Sequence, residues 1–234
     1  MTQIKNLHEL ETQLEQLSAQ EGLALIADLF PGKVTFSTSL GQEDQVITQL
    51  IAAGNTPVKI FSLDTGRLFP ETLDLLSRTE AKYKQRIKVY YPTTDSVEKL
   101  VSDIGINGFY ESVENRKSCC FVRKVEPLKR ALAGNEVWIT GLRAEQSANR
   151  SDMKRIEWDE ANQIIKYNPL LDWTFEQMIA YIDEKNIPYN PLHDKGFVSI
   201  GCAPCTRAIM QGEDARAGRW WWEDSKKECG LHAK

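Results

Sequence analysis

The sequence lacks the features that would place it in a membrane, exported or nucleic-acid-binding class. It has no apolar run near the ~20 residues that a membrane helix requires, and positions 1–11 contain no apolar signal core. With a net charge of −4 and a pI of about 5.6, it has no excess of basic residues for tracking a duplex. We therefore expect a cytoplasmic protein without membrane or nucleic-acid partners, in which local arginines bind any anionic ligand.

Cysteine is also scarce, and the five that occur are an odd number. In a chain without an export signal, this count disfavours a disulfide framework and favours metal binding or redox chemistry. No internal repeat or low-complexity linker interrupts the sequence. The 234 residues suit one α/β domain with at most a short appendage.

Hydrophobic periodicity predicts the α/β class. Apolar segments typical of strands alternate with helical segments, which indicates a mainly parallel twisted sheet with helices on both faces. A hairpin and a further helix follow, and from residue 186 prolines and glycines indicate an irregular C-terminal segment. The predicted strands are 34–37, 58–63, 88–91, 136–140, 156–158 and 163–167, and the predicted helices are 42–53, 70–83, 97–104, 174–185 and one that begins near 119.

The N-terminal segment has a leucine pattern of helical spacing. Leu7, Leu10, Leu14 and Leu17 predict an amphipathic helix over residues 5–30. Its apolar face can pack on its own domain or on a neighbouring subunit. The sequence therefore leaves the oligomeric state open.

Polar segments follow three of the predicted strands, at residues 37–44, 64–67 and 140–143. Ligands of open α/β sheets bind at the carboxyl ends of the strands, so we expect these segments to form one site. The first leads with hydroxyl groups into a helix N-terminus, which attracts phosphate or sulfate. It is not a Walker motif, because no Gly-Lys-Ser/Thr follows. The alternative is a helix cap with a tight turn.

Four cysteines fall in two short motifs: the adjacent pair Cys119 and Cys120, and the C-x-x-C of Cys202 and Cys205. Four thiolates suit either a structural zinc ion or an iron-sulfur cluster. Adjacent residues of a helix point ~100° apart, which a cluster several ångströms wide accommodates better than one zinc ion. The spacing favours iron-sulfur, with zinc as the alternative.

The fifth cysteine, Cys229, lies five residues from the end, close to two lysines and His232. Neighbouring positive charge favours the thiolate, which is the nucleophilic form. The alternative is a tail cysteine without a function. The apolar block 220–222 can dock the tail while the last residues stay mobile. We divide the chain into a nucleotide-binding domain, 1–218, and a tail, 219–234.

Together these residues resemble the assimilatory adenylyl-sulfate and phosphoadenylyl-sulfate reductases over about residues 35–232. Tandem cysteines with a C-x-x-C are similar to the cluster-bearing branch, whereas the branch specialised for the 3′-phosphorylated substrate generally lacks them. The resemblance implies an adenine nucleotide alpha-hydrolase-like fold. Five blocks carry it: CCFVRK (119–124), PYNPLHD (188–194), CAPCT (202–206), RAGRW (216–220) and ECGLH (228–232).

The resemblance also implies roles for individual residues. One 4Fe-4S cluster would be held by Cys119, Cys120, Cys202 and Cys205. Cys229 would be the nucleophile, and the sulfate end or the activated thiol would be met by Lys124, Arg216, Arg219 and His232. The adenosine and phosphate region would be lined by Ser37, Ser39, Gly41, Asp64, Thr65, Gly66, Thr140, Gly141 and Arg143.

The implied reaction is thioredoxin-dependent reduction of adenylyl sulfate to sulfite and AMP, in assimilatory sulfate reduction and cysteine biosynthesis. The thiolate would attack the sulfonyl sulfur, expel AMP and become an S-sulfocysteine, from which thioredoxin or glutaredoxin would free sulfite. The family's habit implies a homo-oligomer. Three alternatives stay open: a reductase of the 3′-phosphorylated substrate or of both substrates, an ATP-dependent tRNA-modifying ligase or sulfurtransferase with zinc, and a zinc-stabilised nucleotide sensor.

Overall fold

The structure, a computed structural model, describes residues 7–146 and 153–223. No helix within these ranges is both long and apolar enough to span a membrane. The α-helices are α1 (Leu7–Glu15), α2 (Ala19–Leu29), α3 (Gln42–Ala53), α4 (Pro70–Tyr83), α5 (Thr94–Ile104), α6 (Val113–Cys120), α7 (Glu126–Leu132) and α8 (Phe175–Glu184). The strands are β1 (Val34–Thr38), β2 (Lys59–Leu63), β3 (Lys88–Tyr90), β4 (Val137–Ile139), β5 (Ile156–Asp159) and β6 (Ile164–Tyr167).

The six strands form one sheet in the order β3-β2-β1-β4-β6-β5. Strand β1 runs parallel to β4, and β4 runs parallel to β6. Strand β5 pairs antiparallel with β6, as the predicted hairpin requires. The predicted α/β class with a mainly parallel sheet is thus confirmed.

The N-terminal segment departs from the prediction of a single helix over residues 5–30. Two helices, α1 and α2, take its place, and Ser18 begins the second. The Ser18 hydroxyl accepts a hydrogen bond from the backbone of Glu21, whose carboxylate accepts one in return from the backbone of Ser18. This reciprocal cap satisfies two helix-end donors and stabilises a new helix start by about 1 kcal/mol.

Contacts divide the chain into two compact units, and the division at residue 219 stays a prediction. Residues 219–223 belong to the second unit. The first unit comprises Met1–Phe61, Leu75–Ile87 and Gly134–Tyr189, and the second comprises Ser62–Asp74, Lys88–Ala133 and Asn190–Lys234.

The first unit contains the main hydrophobic core. Sheet residues such as Phe36, Ile139 and Tyr167 are fully buried there against helix residues that include Leu14 and Leu23. Each fully buried side chain of this size contributes roughly 1.5–3 kcal/mol. The apolar face of α1 therefore packs on its own unit. This packing does not decide whether the protein is a homo-oligomer.

Candidate active site

In the first unit, the loop between β1 and α3 presents a helix N-terminus. Gly41 is the N-cap of α3 and makes no side-chain cap, so the first N–H groups of this helix are available to an anion. Leu40 adopts a left-handed φ of 63°, which is costly for a residue other than glycine and is typical of functional loops. Residue Ser39 donates both its N–H and its hydroxyl to the Asp44 carboxylate, at 2.6 and 2.7 Å.

The segment after β4 lies against this loop. A Cβ at Gly141 would overlap the Asp44 carboxylate, so only glycine allows this approach. Arg143 is buried and donates to Glu43 at 3.0 Å, to Glu145 at 3.0 Å and to the Trp173 carbonyl. Its positive charge is therefore shared with two carboxylates, which the sequence prediction of a phosphate contact did not foresee.

The other predicted residues of the first unit have internal partners. The Ser37 hydroxyl oxygen accepts a hydrogen bond from the Trp138 indole at 2.8 Å and keeps its own proton to donate. The hydroxyl of Thr140 donates to the side-chain oxygen of Asn168. These hydrogen bonds fix the ends of two parallel strands without filling the N-terminus of α3.

The first turn of α3 carries two acidic residues beside this N-terminus, and the negative charge of each is reduced or neutralised by its surroundings. Glu43 is paired with Arg143. Burial raises the pKa of Asp44 to about 7, although its hydrogen bonds from Ser39 lower it. Near neutral pH this site therefore carries less negative charge than its sequence indicates, which favours anion binding.

We expect the affinity of this loop for an anionic ligand, one whose own charge is constant between pH 6 and 8, to fall by roughly threefold to tenfold over that range. Asp44 ionises in this range, and one added charge near a bound phosphate costs about 1 kcal/mol or more. Calorimetric titration of the protein with such a ligand at a series of pH values measures this change. In an Asp44→Asn background the slope should disappear. An equal slope in both proteins would contradict the role assigned to Asp44.

In the second unit, the four paired cysteines lie around one cavity. Cys202 and Cys205 are buried, and Cys119 and Cys120 are partly buried. The adjacent apolar cluster joins Cys202 and Cys205 to Phe109 and Trp220. The cavity is lined by Arg67, Phe109, Arg116, Cys119, Cys120, Arg123, Lys124, Cys202, Pro204 and Cys205.

A change of helical geometry follows the tandem cysteines. Helix α6 ends at Cys120, and Phe121–Val125 continues as a π-helix, in which the Glu126 N–H bonds the Phe121 carbonyl five residues earlier. Such single-turn π-helices occur frequently at functional sites. This turn carries Arg123 and Lys124 to the thiol cavity. The prediction that a helix begins near residue 119 is wrong, because Cys119 and Cys120 are the last two residues of α6.

The segment after β2 lies beside the same thiols. Asp64 accepts a hydrogen bond from the Gly66 N–H, which closes a tight turn. The Thr65 hydroxyl lies 3.2 Å from the Cys202 sulfur, and the Thr65 carbonyl accepts a 2.7 Å hydrogen bond from Arg123. The structure thus places Thr65 at a thiol, whereas the sequence resemblance assigned it to the nucleotide.

Four cationic side chains line the cavity, those of Arg67, Arg116, Arg123 and Lys124, and the predicted Arg216 and Arg219 are not among the described residues that line it. Arg123 is buried, and its Nε has no hydrogen-bond partner among the described residues. The same holds for Arg219, whose guanidinium lies 4.7 Å from the Trp220 ring and occupies the space that a Cβ at Gly201 would need. Both arginines therefore keep donor capacity for a ligand. Arg216 is partly exposed, three residues before Arg219.

Two of the four cavity thiols, those of Cys119 and Cys205, have a raised pKa. Burial raises the pKa of Cys119, and burial with its neighbours Cys202 and Cys120 raises the pKa of Cys205 to about 12. A nearby positive charge would favour the thiolate form of these two side chains. In the described ranges, no three Cys, His, Asp or Glu side chains are arranged for a single metal ion. Four thiols lining one cavity suit either a zinc ion or an iron-sulfur cluster.

Arg67 and Arg123 were not assigned to the site from the sequence, although both line the cavity. Arg123 stands inside the quoted block 119–124 and Arg67 inside the strand-end segment 64–67, so local signals existed for both. Cys229 and His232 lie outside the described residues. Since the other two polar strand ends belong to the first unit, one site formed by all three remains a prediction.

These observations define a class: an α/β protein with a helix N-terminus that has no side-chain cap and, in a second unit, a cationic four-thiol cavity. Residues 33–208 match the phosphoadenosine phosphosulfate reductase domain family. The chain belongs to this family.

Relatives with established names support this assignment. The chain is 55% identical over 202 residues to an adenosine 5′-phosphosulfate reductase of Allochromatium vinosum, covering 86% of this chain and 79% of that protein. It is 51% identical over 225 residues to the enzyme of the same name from Burkholderia cepacia, covering 96% and 89% of the two chains. These matches favour neither the ligase nor the sensor alternative.

Solved structures show the same architecture. The phosphate complex of a phosphoadenylyl-sulfate reductase from Candida auris aligns with a TM-score of 0.73 at 32% identity, covering 88% of this chain and 97% of that one. FMN adenylyltransferase from Candida glabrata aligns with a TM-score of 0.56 at 16% identity, covering 93% and 80%. The second likeness concerns the fold alone, and it agrees with the predicted adenine nucleotide alpha-hydrolase-like class.

Proposed function

We propose that this protein reduces adenylyl sulfate to sulfite and AMP in the cytoplasm, in assimilatory sulfate reduction. The observation that carries the proposal is the cavity in which four thiols meet the cationic side chains of Arg67, Arg123 and Lys124. Relatives named adenosine 5′-phosphosulfate reductase are 50–55% identical, whereas the structure named for the 3′-phosphorylated substrate is 32% identical. This difference supports adenylyl sulfate over its phosphorylated form.

The four thiols would hold one 4Fe-4S cluster. This cluster would supply fixed charge and hold two chain segments together, since the reducing equivalents arrive as thiols. Cys119 and Cys120 come from one segment, and Cys202 and Cys205 come from the other. The hydroxyl of Thr65 and the guanidinium of Arg116 contact the sulfurs of Cys202 and Cys120, which is the kind of support that metal ligands usually have.

Binding of the nucleotide is assigned to the first unit. The phosphate would accept hydrogen bonds from the first N–H groups of α3 and from the Ser37 hydroxyl. Arg143 would act mainly by neutralising Glu43, which lies in the first turn of the same helix. Asp44 would fix Ser39 through two hydrogen bonds.

The chemical step is a substitution at sulfur. The Cys229 thiolate attacks the sulfonyl sulfur, a new S–S bond forms, and the sulfur–oxygen bond to the phosphate breaks. The electron pair of that bond leaves with AMP. The sulfonate is negative and repels the thiolate, so Arg219, Arg216, Lys124 and His232 would neutralise this charge in the transition state.

Release of sulfite requires a second thiol. A thiolate of thioredoxin or glutaredoxin attacks the Cys229 sulfur, so the S–S bond breaks and sulfite leaves with its electron pair. The resulting mixed disulfide is resolved by the partner's second thiol, which returns Cys229 to the reduced state. Position 229 must meet the nucleotide first and a protein second, which a C-terminal tail permits.

We expect Arg219→Ala to lower the rate of sulfite release by roughly 10²- to 10³-fold, the usual effect of removing one electrostatic stabiliser of a transition state. Arg219 is buried, and its Nε, which has no partner in the described part of the chain, can meet the sulfonate. A coupled assay of sulfite at saturating adenylyl sulfate measures the loss. Arg219→Lys, which keeps the charge, should recover part of the rate.

The matched control is Arg207→Ala. Arg207 lies in the same unit, but it is engaged by Glu213 through two hydrogen bonds of 2.8 and 2.9 Å. Its loss should leave sulfite release within about twofold of the native rate, since surface ion pairs contribute little. If both alanine variants lost activity equally, the effect would be one of stability, and the role of Arg219 would be refuted.

A further inference from the structure

A buried ion pair joins the start of the tail to the helix that carries the tandem cysteines. The guanidinium of Arg116, in α6, donates two hydrogen bonds of 2.9 Å to the carboxylate of Glu223. Their side chains are only 6% and 3% exposed. These residues are 107 positions apart in the sequence, so the pair closes a long loop within the second unit.

Such a pair is weak evidence for a purely stabilising role. Taking two charges out of water costs about as much as their attraction returns, and apolar replacements of similar volume are often as stable. Buried pairs are better explained where they fix one arrangement of two segments. The two segments here are the cysteine-bearing α6 and residues 219–223.

The backbone of this tail segment adopts an unfavourable conformation at Trp220. Trp220 has a left-handed φ of 41° although it is bulky and almost completely buried. Its ring contacts the guanidinium groups of Arg116 and Arg219, each at 4.7 Å. Its N–H bonds the Cys205 carbonyl at 3.2 Å. A conformation of this kind persists only where surrounding contacts fix it, and such conformations cluster at functional sites.

Arg116 also reaches the cavity itself. Its guanidinium hydrogen-bonds the Cys120 thiol as well as Glu223. One side chain therefore contacts a cavity thiol and two residues of the tail, Trp220 and Glu223.

We infer that Arg116 and Glu223 are positioning residues, which fix the point from which the tail presents Cys229 to the sulfonate. This inference rests on the proposed function. Cys229 is six positions beyond Glu223, so the Cys229 Cα lies within roughly 20 Å of the Glu223 Cα. Fixing Glu223 beside the thiol cavity confines the nucleophile to its surroundings. Confinement of this kind raises the effective concentration of a reacting group.

The test is the rate at which Cys229 becomes sulfonated in a single turnover without reductant, followed by quenching and intact-mass analysis. In Glu223→Ala, we expect this rate to fall between roughly tenfold and a hundredfold. Glu223→Gln, which keeps the size and one acceptor for Arg116, should lie between that variant and the native protein. Backbone hydrogen exchange in residues 219–223 should become faster in the same order.

Two further measurements separate positioning from general damage. The dissociation constant of AMP and the rate at which iodoacetamide alkylates Cys229 should both stay at native values. The matched control is Glu213→Ala, which breaks the Arg207–Glu213 pair of the same unit without touching Trp220 or a thiol. We expect its sulfonation rate to remain native.

The adduct rates distinguish failure of the positioning role from failure of the proposed function. If the native protein forms the adduct and Glu223→Ala forms it as fast as Glu213→Ala does, the positioning role is overturned while the proposed function stands. A slower adduct without faster exchange in residues 219–223 also overturns it. If the native protein forms no adduct, the proposed function fails, and with it the reaction that these residues would serve.

Discussion

Cys229→Ser is expected to lower sulfite release by roughly a thousandfold or more, because serine cannot supply the thiolate that forms the bond to sulfur. Removal of a catalytic nucleophile produces losses of this size even where binding and electrostatic stabilisation remain. The measurement is steady-state sulfite formation with adenylyl sulfate and reduced thioredoxin.

Two readouts should be unaffected in this variant. Its iron content and visible absorbance should be native, because Cys229 is outside the four-thiol set of the cavity. Its affinity for adenylyl sulfate should also be retained. A Cys229→Ser protein that turns over at the native rate would exclude the tail cysteine from the reaction.

Cys205→Ser is expected to remove iron and acid-labile sulfide, since serine oxygen is a poor ligand for an iron-sulfur cluster. Cys205 is buried in the cavity together with Cys202. A centre bound about a hundredfold above its dissociation constant contributes about 2.7 kcal/mol. Its loss should lower the melting temperature by roughly 5 to 10 °C in a chain of this size.

Anaerobic purification, iron and sulfide assays and calorimetry measure these effects. Cys229→Ser, the same chemical change outside the cavity, is the control and should keep both iron and melting temperature. A native protein that contained stoichiometric zinc and no iron would contradict the cluster. It would restore the zinc alternative that the cysteine spacing left open.

Local patterns were sufficient for most of the fold. The predicted helix 70–83 agrees with α4, whose first residue is Pro70, and the predicted helix 174–185 agrees with α8, which Thr174 caps. Alternating strands and helices indicated the mainly parallel sheet. These features depend on short-range periodicity and capping, which a single sequence displays directly.

The N-terminal break is different, because its signal was present and overlooked. Ser18 and Glu21 form the S-x-x-E pattern of a capping box, which predicts a new helix start within the leucine-rich segment. The π-helix after Cys120 had no comparable signal. The structure places two residues of this turn, Arg123 and Lys124, at the thiol cavity, and the residues that form the cavity are brought together only by the fold.

The sequence was sufficient to predict which cysteines lie together in the site, but it was less informative about which basic side chains would surround them. The spacing of the two cysteine motifs was sufficient to predict that the four thiols meet at one centre. Arg143 and Glu43 are 100 positions apart and Arg116 and Glu223 are 107 apart, so no local pattern could pair them. Long-range ion pairs decide which arginines still have N–H groups free to bind a ligand. The sequence therefore predicted a phosphate contact for Arg143 without its pairing to Glu43 and Glu145.

The covalent mechanism is tested most directly by the intact mass of the native protein after anaerobic incubation with adenylyl sulfate and no reductant. We expect a gain of one SO₃ group on Cys229, located by peptide mapping and released as sulfite when reduced thioredoxin is added. Sulfite formation without any covalent intermediate, or an adduct on a cavity thiol instead of Cys229, would contradict it.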